Sequence, residues 1–339
     1  MTLRTAPCVI PDLRSGDNLL RFGTLFCHAK IVLTAVELGV FPALDGAPAT
    51  GGELARRLGL RGRGAADFFR TLAAIGVLDC RDGRYHNSAG AHDYLVPGRP
   101  GYLGGFLLGA NSLLYPAYDG LAEALRTGHT PFAQSPTRPP RGRRELEKYA
   151  AMKDGLHDSV GRDLTHAFPW PGRGYVVELG GCRGNVLGHV LRAHPELTGG
   201  VFDLPQFEPL FTDHMAERGL ASRTAFHGGA VFAADLPAAD VLICGHVLCR
   251  RPPDDRRKLV HKAFHALGDG GVLLVYDRML GERDDRESLV AGLSLLLVTD
   301  GGGEYPLTAL TEDALDAGFG SVTATPLGAF DTLAVCTKE

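Results

Sequence analysis

The sequence lacks an uninterrupted apolar stretch of the roughly 18 residues that a membrane-spanning helix requires. Its first residues contain no apolar core of the kind found in signal peptides. With a formal net charge of −4, it also lacks the positive excess typical of proteins that bind nucleic acid or anionic membranes without specificity. We therefore expect a cytoplasmic protein with no membrane and no nucleic-acid partner.

Regular cysteine spacing is absent as well, and no Cys-x-x-Cys pair occurs. An odd number of irregularly spaced cysteines argues against a disulfide framework and against a structural zinc site. No cluster of His, Asp and Glu has the spacing of a metal site, so we expect no metal. Buried, reduced thiols are the expectation for the seven cysteines: Cys8, Cys27, Cys80, Cys182, Cys244, Cys249 and Cys336.

The N-terminal third has the pattern of a winged helix. Residues 17–44 place apolar side chains at helical spacing, and two short amphipathic helices follow at 51–60 and 64–78. Residues 77–87 then read as a hairpin with Asp82-Gly83 at its turn. Winged helices often bind DNA, but the second short helix here is mostly small and apolar. We therefore favour a dimerisation or docking module.

The rest of the 339-residue chain divides into a helical part and an alternating part. Helices are predicted over 101–130 and 145–168, and the Pro- and Arg-rich stretch 131–144 between them is the best linker candidate. From residue 174, apolar strands alternate with helices, which is typical of a doubly wound parallel sheet. The predicted strands are 174–180, 199–205, 223–229, 239–247 and 270–279, followed by an antiparallel pair at 321–327 and 331–337.

A glycine-rich turn follows the first of these strands, in the sequence VVELGGCRGN. Gly180 and Gly184 allow backbone to approach a ligand, and the following helix begins with free amide donors. Glu178 and Asp203 end the first and second strands, where a carboxylate can accept hydrogen bonds from an amine or a ribose diol. An acidic crevice of this kind suits the sulfonium of S-adenosylmethionine. A purely structural turn remains the alternative.

These motifs resemble the bacterial branch of the plant-type, S-adenosylmethionine-dependent small-molecule O-methyltransferases over nearly the whole chain. The resemblance is carried by AVELGVF (35–41), ELARRLGL (53–60), FFRTLAAIGVL (68–78), YVVELGGCRGN (175–185), FDLP (202–205), GHVL (245–248), GGVLLVYDRML (270–280) and GGGEY (301–305).

The resemblance implies an α/β class I methyltransferase (Rossmann-like) fold behind an N-terminal winged-helix dimerisation domain. The implied division is a dimerisation domain at 1–100, a helical linker and substrate-pocket segment at 101–170, and a cofactor-binding domain at 171–339. It also implies a homodimer whose partner subunit helps to wall the substrate pocket. Glu178, Gly180 and Gly184 would line the methionine and sulfonium end of the cofactor, and Asp203 would hold the ribose.

The sequence departs from the family pattern in two cofactor positions. Cys182 stands where the first turn usually has a third glycine. Gly228-Gly229 stands where the family usually has Gly-Asp after the third strand, so one contact near the adenine is missing unless Asp235 supplies it. Gly228 is retained as a candidate cofactor residue.

The sharpest departure lies after the fourth strand, where the family reads Val-Leu-His-Asp-Trp and its His is the general base. Here Cys249, Arg250 and Arg251 replace His-Asp-Trp. A thiol is a poor base at neutral pH, whereas arginines could hold an acidic acceptor as an anion. The candidate catalytic residues are Cys249, His246, Arg250 and Glu304. The alternative is that Cys249 and the two arginines, Arg250 and Arg251, have no chemical role.

The sequence thus predicts an S-adenosylmethionine-dependent methyltransferase that acts on a small aromatic or polyketide-like metabolite in antibiotic-type secondary metabolism. Two alternatives stay open. The first is an enzyme on the same scaffold that catalyses a non-methylating step such as cyclisation or rearrangement. The second is a regulator that uses the winged helix. His157 could also face the substrate pocket, or be an ordinary core or surface histidine.

Overall fold

The structure is a computed structural model that describes residues 12–128, 130, 142–170, 172–281 and 286–339. Cys8 and most of the predicted linker 131–144 lie outside these residues. The chain forms two compact units that divide after Ser112. The three-part division into 1–100, 101–170 and 171–339 stays a prediction.

The first unit is mostly helical and contains one small hairpin. Its elements are α1 (Gly16–Gly23), α2 (Leu25–Glu37), α3 (Val40–Ala43), α4 (Gly51–Arg57), α5 (Gly64–Ile75), β1 (Leu78–Arg81), β2 (Arg84–Asn87), α6 (Ala89–Leu95) and α7 (Gly104–Gly109).

The hairpin forms as the sequence predicts. Strands β1 and β2 pair antiparallel, and Asp82 and Gly83 both have positive φ, as a two-residue hairpin turn requires. Beneath it, Phe41, Leu54 and Phe69 are fully buried in the core of the unit. The apolar stretch 17–44 differs from a single helix, because the chain leaves the helix at Thr24 and enters the left-handed region at Gly39.

Helices α1 and α2 expose much of their apolar surface. Leu20 is 74% exposed and Phe26 is 58% exposed. Together the two helices span Gly16–Glu37, which is long and apolar enough by composition to cross a bilayer, with a mean hydropathy of 1.5. Polar residues interrupt this stretch, so it is not an unbroken apolar run in the sequence. Since signal sequences and core helices meet the same criterion, it is weak evidence for a membrane span.

The second unit is a seven-stranded sheet between helices. Its helices are α8 (Tyr115–Ala117), α9 (Leu121–Thr127), α10 (Arg143–Ala167), α11 (Asn185–Ala193), α12 (Glu208–Glu217), α13 (Pro253–Ala266), α14 (Arg286–Val298) and α15 (Leu307–Ala317). Its strands are β3 (Tyr175–Leu179), β4 (Thr198–Asp203), β5 (Thr224–Gly228), β6 (Ala239–Gly245), β7 (Leu267–Asp277), β8 (Ser321–Leu327) and β9 (Asp331–Thr337).

The strand order is β5-β4-β3-β6-β7-β9-β8, in which the first five strands are parallel and β9 lies antiparallel between β7 and β8. This arrangement confirms the predicted doubly wound sheet with an antiparallel pair at its end. The strand order reverses between β3 and β6, and ligands bind at such a point, beyond the carboxyl ends of the strands. Helices cover both faces, so the central strands are buried and rich in Val, Leu and Ile.

Candidate active site

The turn after β3 is built from residues with left-handed backbone. Gly180 and Gly184 have φ of 65° and 76°, and Gly184 caps α11. A Cβ on Gly184 would lie 2.8 Å from Met215 Cε on α12 and 3.1 Å from Val201 Cγ2 on β4, so a side chain here would crowd both elements as well as strain the backbone. Cys182 also has a positive φ of 55°, which is uncommon for a residue with a side chain.

Two carboxylates flank this turn, as the sequence predicts. Glu178 and Asp203 are 5% and 8% exposed at the ends of β3 and β4. The amide of Leu187 donates to Glu178 Oε2 at 3.0 Å, and the amides of Cys182 and Leu204 donate to Asp203 at 2.8 and 2.7 Å. The two acids therefore fix the turn and the start of α11 while they line the crevice.

Burial changes the protonation of both acids. It raises the pKa of Glu178 to about 7 against the opposing effects of the Leu187 amide and of Lys153. It also raises the pKa of Asp203. A cationic ligand would favour the ionised forms, because an opposite charge stabilises a carboxylate.

Lys153, on α10, also lies at this crevice, although it was not among the residues predicted from the sequence. Its ammonium donates a hydrogen bond to the carbonyl of Gly180. Burial lowers the pKa of Lys153, but the negative charges around it, Asp203 and Glu178 among them, raise it overall. The one available signal was spacing: Lys153 and His157 are four residues apart and therefore share a face of the helix.

The end of β5 explains how the chain accommodates Gly228-Gly229. Gly228 pairs with Asp203 across the two strands, and the amide of Gly229 donates to the Asp203 carbonyl at 2.9 Å. A Cβ on Gly229 would lie 2.5 Å from Phe202 Cζ. The Phe202 ring therefore fills the space into which an aspartate here would extend. Asp235 is exposed and acts on the charge of Lys262.

A second cluster of charged groups lies at the ends of β6 and β7, around His246. The His246 Nε2 atom is 3.3 Å from Asp331 Oδ2, and its Nδ1 atom is 3.8 Å from Asp277 Oδ1. Burial alone would lower the pKa of His246, but Asp331, Asp277 and Glu304 raise it above its usual value. His246 therefore gains a proton more readily than an isolated histidine would.

His157 connects the two clusters. Its Nδ1 shares a hydrogen bond of 2.9 Å with the hydroxyl of Tyr276, and its ring meets that of His246 edge-on at 5.0 Å. Burial and the positive charges of Lys153 and His246 lower the pKa of His157 well below its usual value. The charges of Lys153 in the crevice and of His246 in the second cluster both act on His157. The two clusters are therefore neighbours. The sequence left open whether His157 faces a substrate pocket or is an ordinary core or surface histidine. In the structure it is a buried histidine between the two clusters.

Cys249 lies next to His246 in the structure and is 1% exposed. Burial raises the pKa of its thiol well above the usual value, and the negative charges of Asp277 and Glu304 raise it further. The donor atoms of His246, Cys249 and Asp277 lie within 4.8 Å of one another, which the sequence spacing did not reveal. The absence of a metal ion therefore stays a prediction at this group.

The remaining predicted catalytic residues differ in their surroundings. Arg250 is exposed, and Arg251 stacks on the Phe232 ring at 4.7 Å. Glu304 is half-buried, its Oε2 has no hydrogen-bond partner within the described part of the chain, and burial followed by the charge of Asp277 raises its pKa to about 7. Glu304 can therefore accept a hydrogen bond from a ligand, whereas Arg250 faces solvent.

These features fit an adenosyl sulfonium cofactor. The turn at Gly180–Gly184 has left-handed backbone at both glycines, and the neighbouring Glu178 and Asp203 carry the carboxylates that can balance a sulfonium. Carboxylates that already hold backbone amides are fixed before a ligand arrives, so its binding does not have to order them.

Two family profiles match the chain. Residues 119–319 match the O-methyltransferase domain, and residues 20–97 match the O-methyltransferase dimerisation domain. The exposed apolar residues of α1 and α2 from Leu20 onward fall within the second match.

The chain also resembles characterised proteins of Streptomyces. It is 37% identical to the tetracenomycin polyketide synthesis 8-O-methyl transferase TcmO of Streptomyces glaucescens, over 96% of this chain and 98% of the relative. It is 38% identical to the N,N-dimethyltransferase OxyT of Streptomyces rimosus, over 80% of each chain.

Solved structures share the fold. Human N-acetylserotonin methyltransferase in complex with SAM matches with a TM-score of 0.87 and 22% identity, over 97% of this chain and 99% of that one. PigF with SAH matches with a TM-score of 0.86 and 22% identity, over 96% and 100%. With the family profiles and the Streptomyces relatives, these matches confirm the sequence prediction: the chain belongs to the plant-type, S-adenosylmethionine-dependent O-methyltransferase family and is a methyltransferase of small-molecule secondary metabolism.

Proposed function

We propose that this chain methylates an oxygen of a small aromatic polyketide. TcmO, by its name an 8-O-methyl transferase of polyketide synthesis, is 37% identical over nearly the full length of both chains. OxyT, an N,N-dimethyltransferase, matches over a smaller share. The coverage favours oxygen as the acceptor atom.

In this proposal Glu178, Gly180 and Gly184 line the methionine and sulfonium end of the cofactor, and Asp203 and Gly228 lie toward the ribose and adenine. When bound, S-adenosylmethionine supplies a methyl group made electrophilic by the sulfonium. Glu178 and Asp203 balance its charge, and the amides they hold keep the turn in place.

The proposed general base is His246. Asp331, facing Nε2 at 3.3 Å, holds the proton on that nitrogen and leaves Nδ1 to take the proton of the acceptor hydroxyl. The oxygen that has lost its proton to His246 would then be the nucleophile for the methyl group that S-adenosylmethionine supplies. The observation that carries this assignment is the position of His246, at the end of the strand beside β3 and flanked by Asp277 and Asp331.

Cys249 does not suit the same role, since a thiol with so high a pKa stays protonated at neutral pH. Its predicted catalytic role, and that of Arg250 in holding an anionic acceptor, stay predictions. Glu304, with a free carboxylate oxygen, would accept a hydrogen bond from the acceptor or support the His246 imidazolium.

The test compares His246→Asn with Cys249→Ser. Asn tolerates the positive φ of 49° at position 246 but cannot act as a base. With a panel of phenolic polyketides and labelled cofactor at saturation, we expect His246→Asn to lower kcat by about 100-fold or more, the usual scale for loss of a general base. His265→Asn, at an exposed position on α13, is the matched control and should retain full activity.

A large loss of kcat in Cys249→Ser combined with normal turnover by His246→Asn would transfer the base role to the thiol. The assay also addresses the non-methylating alternative, which no described feature favours. Methylated product and S-adenosylhomocysteine should accumulate in equal amounts, and product formed without S-adenosylhomocysteine would contradict methyl transfer.

We further propose that the chain is a cytoplasmic homodimer that binds no nucleic acid and no membrane. The matched dimerisation domain supports the homodimer. TcmO acts in polyketide synthesis by its name, which is consistent with a location in the cytoplasm.

A further inference from the structure

The crevice contains a cation of its own beside its two buried acids. Lys153 reaches from α10 to the turn after β3, where its ammonium donates to the carbonyl of Gly180. Glu178 and Asp203 both act on its charge. Lys153 is only partly buried.

Part of the backbone of the turn is already used. The amides of Gly180 and Gly184 donate to the carbonyls of Phe202 and Gly181 at 2.8 Å each. The amides of Cys182 and Leu187 donate to Asp203 and Glu178. A helix start commonly binds anions through its amides, and here some of those amides are held by the protein's own oxygens.

Two other cations lie near the turn. The guanidinium of Arg183 pairs with Asp154. That of Arg218 donates to the side chain of Asn185 through Nη2, while its Nη1 is buried and has no hydrogen-bond partner among the described residues. A ligand carboxylate placed at this end of the crevice would also face Glu178 and Asp203, whose charges repel it. It therefore needs a nearby positive charge, and Lys153 supplies one.

We propose that Lys153 is the residue that recognises the carboxylate of the methionine end of S-adenosylmethionine. This inference rests on the proposed placement of that end beside Glu178, Gly180 and Gly184. Lys153 moves from the Gly180 carbonyl to the ligand carboxylate, and the ligand ammonium takes over the freed carbonyl. The crevice thereby distinguishes an intact amino-acid end from one that lacks its carboxylate.

The test is calorimetry with two ligands, S-adenosylmethionine and decarboxylated S-adenosylmethionine. For Lys153→Met, we expect the Kd of S-adenosylmethionine to rise by about 10- to 100-fold, the range for loss of a charge-assisted hydrogen bond. The Kd of the decarboxylated ligand should change by less than about threefold, because the group that Lys153 binds is missing from it. Lys148→Met removes the same charge from an exposed position of α10 and should leave both values unchanged.

The outcomes separate this inference from the proposed function. If the wild-type chain binds neither S-adenosylmethionine nor S-adenosylhomocysteine, the cofactor site itself is wrong. If the wild type binds but Lys153→Met binds both ligands equally well or more tightly, only the role of Lys153 is overturned. Equal losses for both ligands would also overturn it, since they indicate a structural role. Lys153→Gln, which keeps a donor for Gly180, serves if the Met variant does not fold.

Discussion

Glu178 and Glu304 both have a pKa raised to about 7 by burial, and His246 has a raised pKa because acidic neighbours outweigh its burial. The two glutamates therefore change charge near neutral pH. Cys249, buried among the same acids, does not. At the scale of the residue, the surroundings of a side chain decide its chemistry more than its identity does, and burial among acids leaves the Cys249 thiol unsuited to act as a base.

The raised pKa of Glu178 makes cofactor binding depend on pH. Its carboxyl group is mostly neutral below pH 7 and ionised above it, so the affinity for the cationic cofactor should rise between pH 6 and pH 8, by up to about tenfold for one group. Glu178→Gln should remove most of this rise. Calorimetry at several pH values measures it.

S-adenosylhomocysteine is the natural control for this experiment, because its sulfur is neutral and its affinity should vary less. The other charged groups facing Glu178 are Lys153, Asp154 and Asp203. An unchanged pH profile in Glu178→Gln would assign the titration to one of these instead. The same raised pKa favours the folded state below about pH 4.5, and this contribution is lost as the pH rises through 7.

At the scale of the element, continuous strands were predictable and helix faces were not. The bounds of β8 and β9 agree with the predicted 321–327 and 331–337. Strand β3 reads as a mostly apolar run, and the prediction 174–180 is within one residue of its bounds at each end. Strand β7 begins three residues before the predicted 270. The stretch 17–44, by contrast, keeps helical periodicity through two breaks, because periodicity does not record the backbone angles at Thr24 and Gly39.

The start of α4 gives a prediction at this scale. Thr50 and Glu53 form a capping box, with Thr50 Oγ1 accepting from the Glu53 amide at 3.3 Å and the Thr50 amide donating to Glu53 Oε2 at 2.8 Å. Thr50→Ala should destabilise the first unit by about 1 kcal/mol and lower its melting temperature by a few degrees. Scanning calorimetry measures the change.

The matched variant is Thr50→Ser, which keeps the hydroxyl and should melt close to the wild type. If Thr50→Ala melts at the wild-type temperature while Thr50→Ser does not, the hydroxyl contributes nothing and the methyl group of Thr50 matters instead.

At the scale of the whole molecule, the exposed apolar surface of α1 and α2 implies a missing neighbour. Soluble monomers rarely expose contiguous apolar patches, and this one falls within the matched dimerisation domain. A second copy of the chain is the proposed occupant. The same surface accounts for the membrane-like composition of Gly16–Glu37.

Size-exclusion chromatography with light scattering tests this proposal. The wild-type chain should elute as a dimer, and Leu20→Glu combined with Phe26→Glu should shift it toward the monomer, because each change places a charge in an apolar contact. Leu315→Glu, at a 52% exposed position on α15, should leave the dimer intact. A dimer that withstands the double substitution would place the interface elsewhere.

The sequence by itself determined the doubly wound sheet, the hairpin of the N-terminal unit and the acids at the ends of β3 and β4, because apolar runs, turn residues and strand-end carboxylates are local patterns. Only the tertiary structure decided that Lys153 reaches Gly180, that Phe202 fills the space beside Gly229 and that His246 lies between Asp277 and Asp331. The residues of these contacts are 27 to 85 positions apart in the chain, so only folding brings them together. The charged groups among them interact strongly only after folding removes water from between them.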